Sequence, residues 1–227
     1  MFKKIILLFL FSPLFLQGQN SSIGRKTSFG LFVSPELNGM FPDPRIQHSS
    51  KARFSFTAGI NLNHNITKKV SIISGLGFGI RRYDDIEDGL HFPSDLDPIR
   101  GFISTSKIVT NFSYLQTNIP ILIKVDVLPR KWFICSGLET SYFFKNDSKS
   151  TIHYGDGQKE KLSILNNPAM INFAYVVSSG YIRDVSEKYS VMIQPMAKFY
   201  FKDYIIENSV LFSFGIKVSC NFINPRK

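Results

Sequence analysis

From Ser209 to Phe222 the chain alternates without a slip. Val210, Phe212, Phe214, Ile216, Val218, Cys220 and Phe222 take every second position, with Leu211, Ser213, Gly215, Lys217, Ser219 and Asn221 between them. Seven further stretches keep the same period, over about 27–34, 53–62, 69–81, 108–126, 132–145, 170–182 and 189–201. A period of two places successive side chains on opposite faces of a strand. No run with the 3.6-residue period of a helix is long enough to predict one.

The two faces differ in kind. One carries residues such as Phe29, Leu31, Val33, Phe54, Phe56, Phe78, Ile80, Ile119, Ile121, Ile193 and Phe199, and no charge. The other carries Arg53, Arg81, Lys124, Asp126, Glu139, Lys198 and Lys217, together with Gly30, Gly59, Gly75, Gly77, Gly79, Gly137, Gly180 and Gly215. Small residues on one face let a narrow sheet curl. A charged, glycine-rich face suits a cramped polar lumen, and the greasy face then meets lipid. Hydrocarbon cannot satisfy an open strand edge, so such a sheet must close. The predicted fold is all-β: an eight-stranded antiparallel up-and-down transmembrane β-barrel.

Connections alternate in length. Segments 35–52, 82–107 and 146–169 are long, whereas 63–68, 127–131 and 183–188 are tight, the asymmetry of external loops and periplasmic turns. Both termini then lie in the periplasm. Trp132, Tyr181, Tyr189 and Phe222 fall at the periplasmic strand ends, and Tyr142, Phe144, Phe199 and Phe201 at the external ends. These make two aromatic girdles, the arrangement that interfaces favour. Pro120 and Pro195 sit inside strands, where each forfeits a ladder donor, and predict a bulge or local break.

Composition narrows the setting. The chain has 227 residues, is 44% hydrophobic and contains 22 Phe and 9 Tyr. Residues 1–19 combine a basic start, a short apolar run from Ile5 to Leu16 and a polar end, and read as a signal peptide. Residues 20–222 form the expected barrel and 223–227 a short periplasmic tail. The location implied is an outer membrane, with outer-membrane lipid as the first partner. Formal net charge is +10, falling to +8 without Lys3 and Lys4, and no dense Lys/Arg cluster points to nucleic acid. Cys135 on the inner face and Cys220 on the outer are expected to be free thiols.

Candidate chemistry is sparse. Asp84, Asp85, Glu87, Asp88, Asp95 and Asp97 form an acidic segment that lacks calcium-loop spacing and reads as a solvated loop. His48, His91 and His153 come from three separate segments with no metal-ligand spacing. Gln47-His48-Ser49-Ser50 is the only local His–Ser arrangement that a lipid-modifying enzyme would use. Neither a catalytic site, a metal nor a cofactor is expected. The inward charges read as lumen filling, held by ion pairs or trapped water. Gly155-Asp156-Gly157 predicts a hairpin tip, and its loop is a candidate partner surface. A soluble lipocalin-like carrier is the alternative with eight strands, but it requires the apolar face inside.

FTAGINLNHNITKKVSIISGLGFG (Phe56–Gly79), SYLQTNIPILIKV (Ser113–Val125) and the closing strand ending at Asn221-Phe222 resemble the PorT-like outer-membrane β-barrels of Bacteroidota. In that family the central strand carries a Tyr-Leu-acidic-Ile-Pro pattern. Here Gln116-Thr117-Asn118 stands between Tyr114-Leu115 and Ile119-Pro120, without the acidic residue. The resemblance implies a non-enzymatic envelope protein acting through external loops or partners, with association to a secretion apparatus as one expectation.

Overall fold

The computed structural model describes residues 27–41, 48–88, 105–128, 131–154, 157–163, 170–186, 188–201 and 210–222. The expected signal peptide, the 223–227 tail, His91, Asp95 and Asp97 lie outside them. Ten strands follow one another: β1 (Thr27–Phe41), β2 (His48–Asn65), β3 (Val70–Asp88), β4 (Thr105–Leu128) and β5 (Trp132–Asn146), then β6 (Lys149–Tyr154), β7 (Lys159–Ser163), β8 (Met170–Asp184), β9 (Tyr189–Tyr200) and β10 (Val210–Phe222). All pairings are antiparallel, in the order β3-β2-β1-β10-β9-β8-β5-β4-β6-β7. Because β3 also pairs with β4, eight strands close on themselves. The remaining two, β6 and β7, form a hairpin that pairs with β4 along 105–111, beyond the segment where β4 meets β5.

The hairpin agrees with the tip expected at Gly155-Asp156-Gly157 and adds two strands to the long segment 146–169. Its turn includes Gly157 with φ 87°, the left-handed conformation that favours glycine. The long connections also shrink, since β1 runs on to Phe41, β2 starts at His48 and β3 ends at Asp88. At the opposite end the turns are as tight as expected: Ile66 N–H donates to Val70 O (2.9 Å) and Val185 N–H to Tyr189 O (3.0 Å).

Alternation is visible in exposure. Phe214, Ile216 and Val218 of β10 are exposed, while Ser213, Lys217 and Ser219 between them are buried. The same inversion holds around the ring: Ile123 is 57% exposed and its neighbour Lys124 4%. Cys135 is buried, Cys220 is exposed, and both are free.

The in-strand prolines break the ladder without shifting it. Pro120 pairs with Glu139 of β5, yet pairing to β3 lapses between Ser74–Ile121 and Gly77–Asn118 and resumes in register. Pro195 pairs with Ile216, and the β8 ladder lapses between Ser178–Met196 and Tyr181–Ile193. Pro35 does the same toward β10. Each proline keeps one neighbour and loses donors toward the other, as its missing N–H requires. Register shifts occur elsewhere, including one in β2 between Ala52 and Phe56.

Gly59 shows why the inner face needs glycine. A Cβ there would lie 2.1 Å from Leu76 O and 2.7 Å from Gly77 Cα, both backbone atoms with little room to move. Replacing Gly59 with Ala is expected to destabilise the barrel by about 2 kcal/mol through overpacking. Urea unfolding in detergent, followed by the gel mobility of the folded form, checks this.

Candidate functional site

The centre of the ring holds an ion network built from three strands. Lys198 Nζ on β9 lies 3.0 Å from Glu36 Oε1 on β1 and 3.0 Å from Glu139 Oε1 on β5. Ser34 Oγ donates to Glu36 Oε1 (3.1 Å), Ser213 Oγ to Glu36 Oε2 (2.8 Å) and Asn118 Nδ2 to Glu139 Oε1 (3.2 Å). The ammonium thus bridges two carboxylates, with serine hydroxyls on both Glu36 oxygens and the Asn118 amide on Glu139 Oε1. A charge removed from water needs this completeness, because one carboxylate left unpaired there costs several kcal/mol.

Lys217 reaches the same level from β10, with Nζ 4.1 Å from the Phe32 ring centre. A small cavity of about 20 Å³ separates these groups, lined among others by Thr57, Asn118, Gln194, Lys198 and Lys217. That is room for about one water and for no solute.

Two apolar layers flank the network. Toward the turn end lie Ile73, Leu122, Phe133, Cys135, Val176 and Met192. Toward the long-strand end lie Met40, Tyr83, Phe112, Tyr114, Phe143 and Tyr200, with Ala174 and Leu211. Arg81, 1% exposed, stacks inside the second layer, with its guanidinium carbon 3.8 Å from the Tyr200 ring centre and 4.9 Å from that of Phe143. Its guanidinium nitrogens make no hydrogen bond, so the aromatic faces are what balance its charge. The interior is therefore a stack of apolar, ionic and aromatic-cation layers, less uniformly polar than alternation alone suggests.

Of the seven inner charges expected from sequence, Arg81, Lys124, Glu139, Lys198 and Lys217 are buried within the ring. Lys124 pairs with Asp126 at 2.9 Å, nearer the turn end. Arg53 departs from the group. It lies in the β2 irregularity, 47% exposed, and donates to Asp84 Oδ2 (2.8 Å) and Asn111 Oδ1 (2.9 Å). Those partners share the outward parity of β3 and β4, so the bulge turns Arg53 away from the lumen.

Glu36 was missed because a strand ending before Pro35 places it in a loop. Alternation through the proline, with Ser34, Glu36 and Asn38 on one side and Val33, Pro35 and Leu37 on the other, carries the signal that finds it.

Among the described residues the remaining candidates do not converge. Asp84 and Asp88 alternate along β3 with Asp85 and Glu87, which puts the pairs on opposite faces and spoils a calcium cage. His48 pairs in register with Glu87, and His153 lies on β6. No group of three metal-ligating side chains forms among the described residues. Ser50 Oγ accepts from Met40 N–H (3.1 Å) and donates to Asp84 O (3.0 Å), which commits it to the backbone.

The aromatic residues sit at the two ends of the outer wall. Trp132 packs edge-on against Tyr181 at 5.3 Å and Tyr189 against Phe222 at 5.5 Å, with Phe29 stacked on Phe222. At the other end Tyr142, Phe144, Phe199 and Phe201 are all exposed.

A closed antiparallel ring with an apolar exterior and an interior filled with charged, polar and aromatic side chains is the arrangement of a β-barrel that crosses a membrane. The chain belongs to the outer membrane protein beta-barrel domain family, whose model matches residues 17–224. That membership places it in the outer membrane. Among solved structures it is similar to the Yersinia pestis attachment invasion locus protein Ail (9% identity, 87% of this chain and 99% of that one, TM-score 0.46). Others are the Pseudomonas aeruginosa outer membrane protein OprG (9%, 90% and 97%, 0.43) and Neisserial surface protein A (11%, 85% and 97%, 0.43). No curated protein matches.

Replacing Lys198 with Met leaves two buried carboxylates without their cation and is expected to cost about 3–5 kcal/mol. Adding Glu36→Gln and Glu139→Gln should recover most of that loss. Unfolding midpoints of the single and triple variants in one detergent decide the point.

Proposed function

We propose that this protein is a non-enzymatic, eight-stranded transmembrane barrel that works from its external strand extensions while its sealed interior serves as a rigid stem. The observation that carries this reading is the inversion of faces, with an apolar wall outside and the Glu36–Lys198–Glu139 network inside. A soluble carrier of the lipocalin kind needs the opposite arrangement. A cavity of about 20 Å³ at the waist argues against passage of solutes, and Ser50, one of the two serines of the His–Ser candidate, is already engaged by the backbone.

We assign the orientation from the strand ends. The tight turns, Thr27 and Phe222 share one end, assigned to the periplasm together with both termini; the β6–β7 hairpin marks the external end. Outer-membrane lipid is the direct partner of the wall. Two of the three PorT-like stretches fall on β2, β3 and β4, the strands that continue into the external extension, and the third is β10; an envelope protein docking on that extension is the form that a secretion role would take. A deletion strain that secretes normally removes that role and leaves the barrel intact.

The protein is expected in the outer-membrane fraction, with a gel mobility that changes on boiling. Ile121→Lys, on the lipid face, should cost about 2–4 kcal/mol near the midplane. A soluble protein with one mobility, or an Ile121→Lys variant as stable as wild type, contradicts the reading.

A further inference from the structure

Beyond the ring, β2, β3, β4, β6 and β7 continue as a five-stranded flap, and its register sorts the charges onto two faces. Lys51 lies opposite Asp84, Asp88 opposite Lys107, and Asn111 opposite Lys149. Lys159 and Lys161 follow on β7 with the same parity, since Lys161 pairs with Thr151 and Lys149 with Ser163. This face holds Lys51, Lys107, Lys149, Lys159 and Lys161, joined by Arg53 through its bonds to Asp84 and Asn111. Its acids are Asp84 and Asp88, engaged by Arg53 and Lys107 respectively. On the opposite face Asp85, Glu87 and Glu160 bring acid, with no Lys or Arg among the described residues.

The basic face is the outward one. On β4 it carries the parity of Ile119, Ile121 and Ile123, so it continues the lipid-facing wall upward. Lys149 sits beside Asn111, six residues past Thr117, which pairs with girdle residue Tyr142. At ~3.3 Å per residue and ~40° tilt, that is about 15 Å above the girdle. A cationic wall at that height faces the headgroup sugars of the outer leaflet, not the hydrocarbon.

We propose that the outward face of this flap binds phosphate groups on the headgroup of an outer-leaflet glycolipid, with Lys149, Lys159 and Lys161 as the principal cations. The proposal rests on the barrel reading above. Lys149, Lys159 and Lys161 are exposed and have no carboxylate within ion-pair distance among the described residues, so their charge is available to a ligand. Continuity with the wall delivers lipids along the surface, which a free anion in solution does not need.

The test uses the full chain refolded in zwitterionic detergent, with boiling-dependent mobility scored first. Loss of that mobility shift fails the barrel reading itself. On folded protein, calorimetry compares purified outer-leaflet glycolipid with the same lipid after its phosphates are removed. Wild type should bind the phosphorylated form at least tenfold more tightly. Lys149→Gln/Lys159→Gln/Lys161→Gln should abolish the difference while keeping the mobility shift, and Glu160→Gln on the other face should change nothing. Equal binding of the two lipids, or a triple variant with wild-type discrimination, overturns the proposal. So does inorganic phosphate that competes at the concentration of lipid phosphate, since it would mark a simple anion site.

Discussion

In hydrocarbon every peptide N–H and C=O without a partner costs several kcal/mol, and no water is at hand to take its place. That constraint orders the rest of this molecule. It requires β1 to meet β10 and β3 to meet β4, and it forces a narrow ring whose inner surface must be filled by side chains from all around it. The inner glycines follow from the same narrowness, since a Cβ at Gly59, Gly79 or Gly137 would run into a neighbouring carbonyl oxygen. The prolines are tolerated because each suspends pairing on one side for a short interval and leaves the register on the other side untouched.

Filling so small a space with charge creates a second problem, and the layering solves it. Glu36 and Glu139 share one ammonium and draw on serine and asparagine donors, whereas Arg81 is held by ring faces. The two solutions are not equivalent. The carboxylate pair has Lys198 as its only ion-pair partner within 4 Å among the described residues, with Lys217 adding positive charge at the same level, so it is the more sensitive to loss of Lys198. The aromatic layer spreads its contribution over Tyr200, Phe143 and their neighbours.

Within the membrane the chain was highly legible, because a strand with lipid on one side and a packed lumen on the other must alternate strictly. Ser209–Phe222 could be read residue by residue. Legibility ended where that contrast ends. Past Arg81 and Asn146 the strands enter water, both faces accept polar side chains, and the period fades, although the hydrogen-bonded ladders continue. Hence the acidic segment after Arg81 read as a loop and proves in part to be strand, and the β6–β7 hairpin was visible only at its glycine tip. Glu36 falls to a local rule: a proline signals a strand's end, while the outward position of Pro35 lets the ladder to β2 continue. Arg53 fell to a bulge, which alternation cannot foresee.

The seam between β1 and β10 joins residues almost two hundred positions apart, Phe29 against Phe222 among them. A chain that lacked β10 would leave β1 and β9 as unpaired sheet edges, since β10 alone joins them. Completion waits for the last segment, which makes the finished cylinder its own test of an intact message: a truncated product cannot seal and stays open to proteolysis.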